Sequence, residues 1–439
     1  MVNLEFLAEK NGIKAGEQNT LDVLLRASSD KQRPEVESRL PLNLSLVLDR
    51  SGSMDGRPLN EAKNCANMLV ERLNTNDRLS IVTYDEKVDI LSPTANVTNK
   101  NSLKRQISRI CSGGMTALYD GWSVGAEQVA LHADKNYLSR VLLLSDGQAN
   151  QGETDELAIS HHCQSMAEYG VTTSTYGLSE HFNENLMTAM AKSGQGQAHY
   201  GQTADDLLDP FQQEFDLMEA ILAHRMRLRI VPEIGVTFEL SNGYAQDQEG
   251  RFILPDLAYE ADVWAFLKVT IDKNVCDGTI GTWIKLLTAT VDYVDREGNE
   301  NRTKPSVLAI ELMTEEAYAA LPLEETVRQR SLEVRAAALQ EQAQTAARNG
   351  DWALVDRIMA ELETFGADNA WIKESISRLR AYSSRREAQA FSKEARYKAN
   401  NMRTRSASRE ESYDVFCEPD ESSMPSYLRR KSEQGKKRL

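Results

Sequence analysis

Apolar strands alternate with amphipathic helices between residues 41 and 222, which predicts an α/β domain with a mostly parallel sheet and helices on both faces. In the segments on either side, 1–40 and 223–313, the hydrophobic pattern has a period of two and predicts strands. Together these flanks predict a β-sandwich into which the α/β domain is inserted. Residues 314–405 carry apolar stripes at helical spacing, and the composition of 406–439 predicts a disordered, flexible basic tail.

The α/β domain is predicted from four apolar strands and the helices between them. Leu44–Leu48 is apolar at every position except Ser45, as expected for a strand that is buried on both faces. The next helix is indicated by Pro58 near its first turn and by apolar residues at spacings of four and three. The other predicted strands are Arg78–Tyr84, Arg140–Leu144 and Val171–Tyr176, and the other predicted helices are 99–110, 116–133, 155–169, 183–193 and 204–222. In such a sheet the ligand site lies outside the carboxyl ends of the strands.

The flanking segments show the alternation that is typical of half-buried strands. Leu21, Val23 and Leu25, for example, are apolar residues at a spacing of two. The strand candidates are Leu4–Ala8, Thr20–Arg26, Met226–Val231, Val236–Leu240, Ala265–Ile271 and Trp283–Tyr293. The later segment alone would be small for a closed sandwich, so we expect the two N-terminal strands to complete it.

The helical region carries three apolar stripes. The first begins at Leu332 and ends before Asn349 and Gly350, and the other two begin at Trp352 and Ile372. No repeated signature indicates a solenoid, so a helical hairpin or bundle is the expected arrangement.

The predicted tail combines positive charge with a few apolar residues. From residue 396 to the end there are 11 Lys and Arg against 7 Asp and Glu. Tyr427 and Leu428 stand directly before Arg429 and Arg430. These four residues are either a short motif that docks on a partner protein or part of a solvated end without function.

The overall composition is that of an acidic globular protein. Of 439 residues 41% are hydrophobic and 27% charged, and the formal net charge is −15. This charge argues against nucleic acid and acidic membranes as partners. The five cysteines are scattered without CxxC spacing, which fits a reducing compartment better than a disulfide framework or a zinc site. We find no signal-peptide pattern and no apolar run near the roughly 20 residues that span a bilayer, so we expect a cytoplasmic protein.

Three short segments bring oxygen-bearing side chains to the predicted ligand edge of the sheet. Asp49, Ser51 and Ser53 follow one predicted strand, Asp146 follows another, and Thr116 follows two glycines at the beginning of a predicted helix. Two carboxylates and three hydroxyls are hard oxygen ligands, a set that suits Mg²⁺ or Mn²⁺. With so few carboxylates the ion would remain electrophilic and would accept one more anionic ligand, such as a carboxylate from a partner protein.

These segments resemble the metal-ion-dependent adhesion site of the von Willebrand factor A domain family, whose fold is Rossmann-like. All five positions of the family's pattern are matched, and the resemblance covers roughly residues 40–222. It implies that Ser51, Ser53 and Thr116 coordinate the metal directly, whereas Asp49 and Asp146 act largely through water or as hydrogen-bond partners. Asp85, after a neighbouring strand, is a candidate extra polar neighbour. The alternative is a domain that kept the fold and lost the metal, but such relatives usually lack one of the five residues.

The flanking strands are similar to those of inter-alpha-trypsin-inhibitor heavy chains, and the whole arrangement resembles intracellular bacterial proteins of the family. The resemblance implies an adaptor that binds an Asp or Glu of a partner through the metal and is not an enzyme. The helical region and tail would engage a second partner.

The rival hypothesis is a non-catalytic subunit of an AAA+ ATPase, as in magnesium-chelatase-like assemblies, or of a multi-gene stress or defence complex. The chain itself has no P-loop. A Mg²⁺-dependent phosphohydrolase is a third alternative, although the site has no obvious general base. A soft-metal site at His161, His162 and Cys163 is disfavoured because adjacent residues of a helix point about 100° apart.

Overall fold

The computed structural model of the protein describes residues 2–29, 39–146, 149–178, 183–201, 208–404 and 407–408. These residues form two compact units. The first unit contains the described residues before 34 together with 226–293, 300–404 and 407–408, and the second contains those between 39 and 225 together with 294–299. Because the first unit is built from both sides of the second, the α/β segment is an insertion, and the predicted fold class is confirmed.

The secondary-structure elements are numbered in chain order. The strands are β1 (Val2–Ala8), β2 (Gly12–Lys14), β3 (Asn19–Ser29), β4 (Leu42–Asp49), β5 (Arg78–Tyr84), β6 (Val88–Asn96), β7 (Leu138–Ser145), β8 (Val171–Leu178), β9 (Gln195–Gly201), β10 (Ile221–Pro232), β11 (Val236–Leu240), β12 (Phe252–Ile253), β13 (Leu257–Ala258), β14 (Ala261–Ile271), β15 (Trp283–Asp295), β16 (Glu300–Arg302), β17 (Ser306–Met313) and β18 (Ala407–Ser408). The helices are α1 (Arg57–Arg72), α2 (Lys100–Ser108), α3 (Leu118–Ala130), α4 (Glu156–Glu168), α5 (Glu184–Ser193), α6 (Leu208–Glu219), α7 (Lys273–Cys276), α8 (Glu315–Ala320), α9 (Glu325–Arg348), α10 (Trp352–Asp368), α11 (Ala370–Arg385) and α12 (Ala388–Thr404).

The second unit is a six-stranded sheet with the order β6-β5-β4-β7-β8-β9. All neighbouring strands are parallel except β6, which runs antiparallel to β5 at the edge. The residues of β4 explain how both faces are covered. Leu44, Leu46 and Leu48 belong to a core shared with α1 and α6, and Val47 belongs to a core shared with α3, α4 and α5. The largely apolar sequence of β4 therefore reflects burial on both faces, as predicted.

Three features of this unit differ from the sequence-based prediction. Strand β6 was not predicted, because it lies at the edge, is partly exposed and contains Pro93 and several polar residues. Strand β9 was not predicted because its sequence, QGQAHYG, has no apolar alternation. The prediction of a helix to residue 222 was wrong, since α6 ends at Glu219 and Ile221 begins β10. The apolar run 220–223 is compatible with a helix or a strand, and only pairing in a sheet decides between them.

The first unit contains a β-sandwich. One sheet has the order β1-β3-β14-β11, and the other has the order β12-β10-β15-β17-β2. Val23, Leu267, Leu287 and Ile310 are among the buried residues that the two sheets place between them. Strand β17 was not among the predicted strands, although alternate residues of it, such as Ile310, are buried. The outer face of β3 and β14 is covered by α9, where Trp264 packs in a cluster with residues of that helix.

Helices α9 to α12 form a bundle in which each helix packs against two others. The three predicted stripes line its core: Ala336 and Ala343 from the first, Val355 and Met359 from the second, and Ile372 from the third are all buried. The first of these helices ends at Arg348, just before Gly350, whose φ of 73° is one that glycine adopts without strain.

The predicted flexible tail lies outside the described residues except for Ala407 and Ser408. These two residues form β18, which pairs antiparallel with the beginning of β14. The candidate docking residues Tyr427, Leu428, Arg429 and Arg430 all lie outside the described residues. Among the residues that are described, no helix has the length and apolar character needed to cross a membrane.

Candidate metal site

The predicted site residues meet at the carboxyl edge of the parallel sheet. Asp49 is the last residue of β4, and Asp146 directly follows β7. Strands β4 and β7 are parallel neighbours with Leu48 paired to Leu144, so the residues that follow these two positions are also neighbours. The two carboxylates therefore reach the same point from adjacent strands, as the predicted sheet edge requires.

Asp49 is the most enclosed of these side chains. Its Oδ1 accepts a hydrogen bond from the backbone N–H of Ser51 at 2.8 Å, and its Oδ2 accepts one from the Ser145 hydroxyl at 2.6 Å. The Tyr84 hydroxyl lies 3.3 Å from the same Oδ2. Burial, and then the nearby charge of Asp146, raise the pKa of Asp49 to about 6, although the Ser145 and Ser51 hydrogen bonds lower it. Two buried acids close together are unfavourable unless a cation lies near them.

The three predicted hydroxyl donors lie on two loops beside Asp49. Ser51 is buried and Ser53 is exposed, and their Oγ atoms are 3.2 Å apart. Thr116 is buried in the loop before α3, two residues earlier than the helix begins, so the prediction that the helix starts at Thr116 was wrong. The Thr116 backbone N–H donates to Asn150 Oδ1 at 2.8 Å.

Backbone hydrogen bonds hold these two loops together. Gly52 N donates to Gly114 O at 3.1 Å, and Gly113 N donates to Arg50 O at 2.8 Å. Gly114 has a φ of 59°, and a Cβ there would lie 2.1 Å from Glu86 Oε2, so no larger residue fits without movement. The glycines that the sequence placed near the site thus allow the loops to approach one another.

Helix α3 is held close to the sheet, which fixes where the Thr116 loop ends. A Cβ on Gly121 would lie 2.4 Å from the ring of Tyr84, and one on Gly125 would lie 2.2 Å from Val47. These two glycines let the helix backbone pack directly on β4 and β5. They also flank Ser123 in a Gly-x-Ser-x-Gly sequence, but this serine is inside a helix and not at the strand-to-helix turn of a hydrolase nucleophile.

Comparison with known proteins identifies this fold. Residues 43–213 match the family model of the von Willebrand factor type A domain. The chain contains a von Willebrand factor type A domain. The match begins inside β4 and ends inside α6, so it covers most of the second unit and the site described above.

Relatives of this A domain are found in bacteria and animals. The chain is 32% identical over 227 residues to the uncharacterized protein sll0103 of Synechocystis, a match that covers 50% of this chain and 51% of that protein. It is 23% identical over 254 residues to human inter-alpha-trypsin inhibitor heavy chain H3, covering 51% of this chain and 28% of the heavy chain. The chain therefore spans about half or less of the length of these relatives.

A solved structure with a similar fold covers more of the chain. The von Willebrand factor type A protein from Catenulispora acidiphila superimposes with a TM-score of 0.68 and 16% sequence identity, over 84% of this chain and 88% of that one. The likeness shows that the fold beyond the A domain also has a counterpart. The predicted resemblance to bacterial A-domain proteins and to the heavy chains is confirmed.

Three residues of the A-domain site were missed by sequence reasoning. Ser145 and Tyr84 both contact the Asp49 carboxylate, and Asn150 connects the Thr116 loop to the loop after Asp146 through its side chain and its backbone. Ser145 lies beside Asp49 because the residues before them, Leu144 and Leu48, are paired in the sheet. The contact with Tyr84 follows from the parallel pairing of β4 with β5, which pairs Asp49 with Tyr84.

The donor set of the A domain fits a divalent cation. Two buried acids, two buried hydroxyls and one exposed hydroxyl lie near the end of β4, and burial together with the charge of Asp146 raises the pKa of Asp49. Within the described ranges, no group of three or more His, Cys, Asp or Glu side chains could hold a metal ion. The candidate site is of a different kind, because it has only two carboxylates and its other three ligands are hydroxyls. Such a set of hard oxygen ligands suits Mg²⁺ or Mn²⁺.

Asp85, the predicted extra neighbour, also lies at this edge. Its Oδ2 is 3.1 Å from Nε of Arg50 in an ion pair that is not aligned as a hydrogen bond, and its Oδ1 accepts from Lys87 N at 2.9 Å. His161, His162 and Cys163 lie on α4, where Cys163 is buried in the core and both histidines are exposed.

Proposed function

We propose that this protein is a non-catalytic adaptor whose A domain binds a partner protein through a divalent cation, Mg²⁺ or Mn²⁺. The observation that carries the proposal is the fully buried Asp49 carboxylate at the ligand edge, beside a second acid and the hydroxyls of Ser51 and Ser53. Domains of this family often mediate protein–protein interaction and metal-dependent binding, which supports the same use here.

Each site residue has a distinct role in this proposal. The hydroxyls of Ser51, Ser53 and Thr116 would be direct donors, and Asp49 and Asp146 would balance the charge. Asp49 already accepts two short hydrogen bonds, from Ser51 N and Ser145, so its carboxylate is held in one orientation. When bound, the cation supplies a Lewis-acidic position that an outside carboxylate can occupy. Ser53 is the exposed member of the set, so the partner is expected to approach from its side.

The partner that fits this site is a cytoplasmic protein with an exposed Asp or Glu. The net charge of −15 disfavours nucleic acid and acidic membranes, so the attraction must come from the cation and not from the overall field. The helical bundle and the tail would engage a second protein, which would make the chain a scaffold between two partners.

The test is affinity purification of the full chain from cell extract with Mg²⁺ and then with EDTA. Ser53→Ala removes an exposed donor without disturbing the core, and Ser165→Ala is its control, since the Ser165 hydroxyl bonds only a carbonyl of its own helix, α4. We expect a partner that is retained with Mg²⁺ by the wild type and by Ser165→Ala, and that is lost with EDTA or with Ser53→Ala. Equal recovery under all four conditions would refute metal-dependent binding.

A further inference from the structure

The turn between β5 and β6 joins the two loops of the candidate metal site. Asp85 O accepts a hydrogen bond from Ala117 N at 2.8 Å, and Glu86 Oε2 accepts one from Met115 N at 3.1 Å. These two bonds hold the residues on either side of Thr116. The position of the Thr116 hydroxyl therefore depends on the turn between β5 and β6, although none of the predicted metal ligands belongs to that turn.

The same turn also holds the loop that carries the serines. Arg50 lies between Asp49 and Ser51, and its Nε is 3.1 Å from Asp85 Oδ2. The backbone of Arg50 donates to Tyr84 O, at the end of β5, at 2.8 Å. The side chain and the backbone of Arg50 thus tie the serine loop to the strand and turn that hold the Thr116 loop.

The turn is itself well held. Asp85 Oδ1 accepts from Lys87 N at 2.9 Å, which closes the turn, and the Asp85 side chain is only 13% exposed. Glu86 is exposed, but its carboxylate fits above Gly114, where a Cβ would lie 2.1 Å from Oε2. Glu86 and Gly114 are therefore matched, because the carboxylate occupies the space that a side chain at position 114 would need.

We propose that Asp85 and Glu86 are positioning residues of the metal site. Asp85 orients the serine loop through Arg50, and Glu86 orients the Thr116 loop through the Met115 backbone, so that the donors of both loops converge on one point. The inference rests on the proposed function, since it concerns the geometry of the cation site. Partners that orient ligands in this way typically change metal affinity about 10- to 100-fold when they are removed.

The first test is calorimetric titration of the full chain with Mg²⁺. We expect Glu86→Ala to weaken Mg²⁺ binding by about tenfold, because the Met115 N–H loses its acceptor. Glu86→Gln keeps an acceptor oxygen and is expected to restore affinity to within about threefold of the wild type. Thermal unfolding in EDTA separates positioning from simple destabilisation, and Glu86→Ala is expected to melt close to the wild type there.

The second test uses matched charge changes on the two carboxylates that contact Arg50. Asp85 and Asp89 both pair with this guanidinium, but the Asp85 side chain is only 13% exposed, whereas that of Asp89 is 54% exposed. Asp85→Asn and Asp89→Asn each remove one negative charge near the site. We expect a clear loss of Mg²⁺ affinity only for Asp85→Asn; an equal loss in both would show a general charge effect and overturn the positioning role.

A third test uses Gly114→Ala and the double variant Gly114→Ala/Glu86→Ala. The new methyl group would displace the Glu86 carboxylate, so Gly114→Ala should also weaken Mg²⁺ binding, and the double variant should lose less than the sum of the two single variants. Additive losses would overturn the link between the two residues.

If the wild type itself binds no Mg²⁺, the proposed function fails. If the wild type binds Mg²⁺ and the Asp85 and Glu86 variants bind it equally well, only the positioning role fails.

Discussion

Replacing Glu214 of α6 with glutamine would remove a negative charge that is buried between that helix and the A-domain sheet. Its carboxylate lies 2.9 Å from Nη1 of Arg140, 2.5 Å from the Tyr176 hydroxyl and 2.8 Å from Nε2 of His199, and it also accepts from the Ser174 hydroxyl. Strands β7, β8 and β9 each contribute to this network. Glutamine has nearly the same size, but it would remove the carboxylate charge that lies beside the buried Arg140.

The magnitude follows from the pKa of Glu214. Burial raises this pKa, but the contacts with His199, Arg140 and Ser174 more than offset it and lower the pKa from 4.5 to about 2. A lowering of that size corresponds to about 3 kcal/mol of stabilisation. Breaking a buried ion pair by removing one partner costs about 3–5 kcal/mol in other proteins. We therefore expect Glu214→Gln to lower the free energy of unfolding of the A domain by about 3 kcal/mol.

The effect has a defined pH dependence. Because the pKa of Glu214 is lower in the folded state than in the unfolded state, its stabilisation is present above about 4.5 and is lost as the pH falls towards 2. The difference in stability between wild type and Glu214→Gln is thus expected to shrink as the pH falls below about 4.5.

Thermal unfolding of the full chain measures the loss of stability in Glu214→Gln. Hydrogen exchange of the backbone amides of β8 reports the same loss at the strand that contacts Glu214. A loss of about 3 kcal/mol corresponds to a fall of roughly 6–12 °C in the A-domain transition. Glu219→Gln is the matched control on the same helix, because Glu219 pairs with Arg39 and Arg72 near the surface and should matter by less than about 1 kcal/mol. Equal midpoints for wild type and Glu214→Gln would refute the reasoning, as would an equal loss in the control.

Three further predictions concern packing, capping and metal. Gly121→Ala places a methyl group 2.4 Å from the Tyr84 ring, and the thermal midpoint should report a loss of about 1–3 kcal/mol; no change would mean that α3 can move outward. Asp351→Ala removes the acceptor for Leu354 N at the start of α10 and should cost about 1 kcal/mol in chemical unfolding, whereas Asp351→Asn should be nearly neutral. Mg²⁺ at about 100 times its Kd should stabilise the A domain by about 2.7 kcal/mol in a thermal-shift assay, and an EDTA-insensitive midpoint would contradict cation binding.

The sequence was informative where one local pattern has a single structural meaning. The apolar residues of β4 indicated a strand covered on both faces, and the stripes of α9 to α11 indicated helix faces turned towards a core. Edge strands carry weaker patterns, because one side faces solvent and polar residues are tolerated there. For that reason β6 and β9 were missed, and the boundary between α6 and β10 was misplaced.

At the candidate metal site, the sequence alone predicted the donors and the edge of the sheet on which they lie. Asp49 and Asp146 each lie at the end of a predicted parallel strand. Because parallel strands end at the same edge of a sheet, the sequence already predicts that the two carboxylates lie at that edge. Only the tertiary structure decided what holds these donors in place. The contacts of Asp85 with Arg50 and of Glu86 with Met115 join segments some 30 residues apart in the chain.

The same limit applies to Glu214, which lies one residue before a buried phenylalanine in an amphipathic helix. Its sequence context gives no sign that Arg140, 74 residues earlier, neutralises it in the core. Periodicity reports which face of an element is buried, because burial acts on each side chain separately. Pairing between charges depends on distances across the fold, which the chain acquires only when its elements pack.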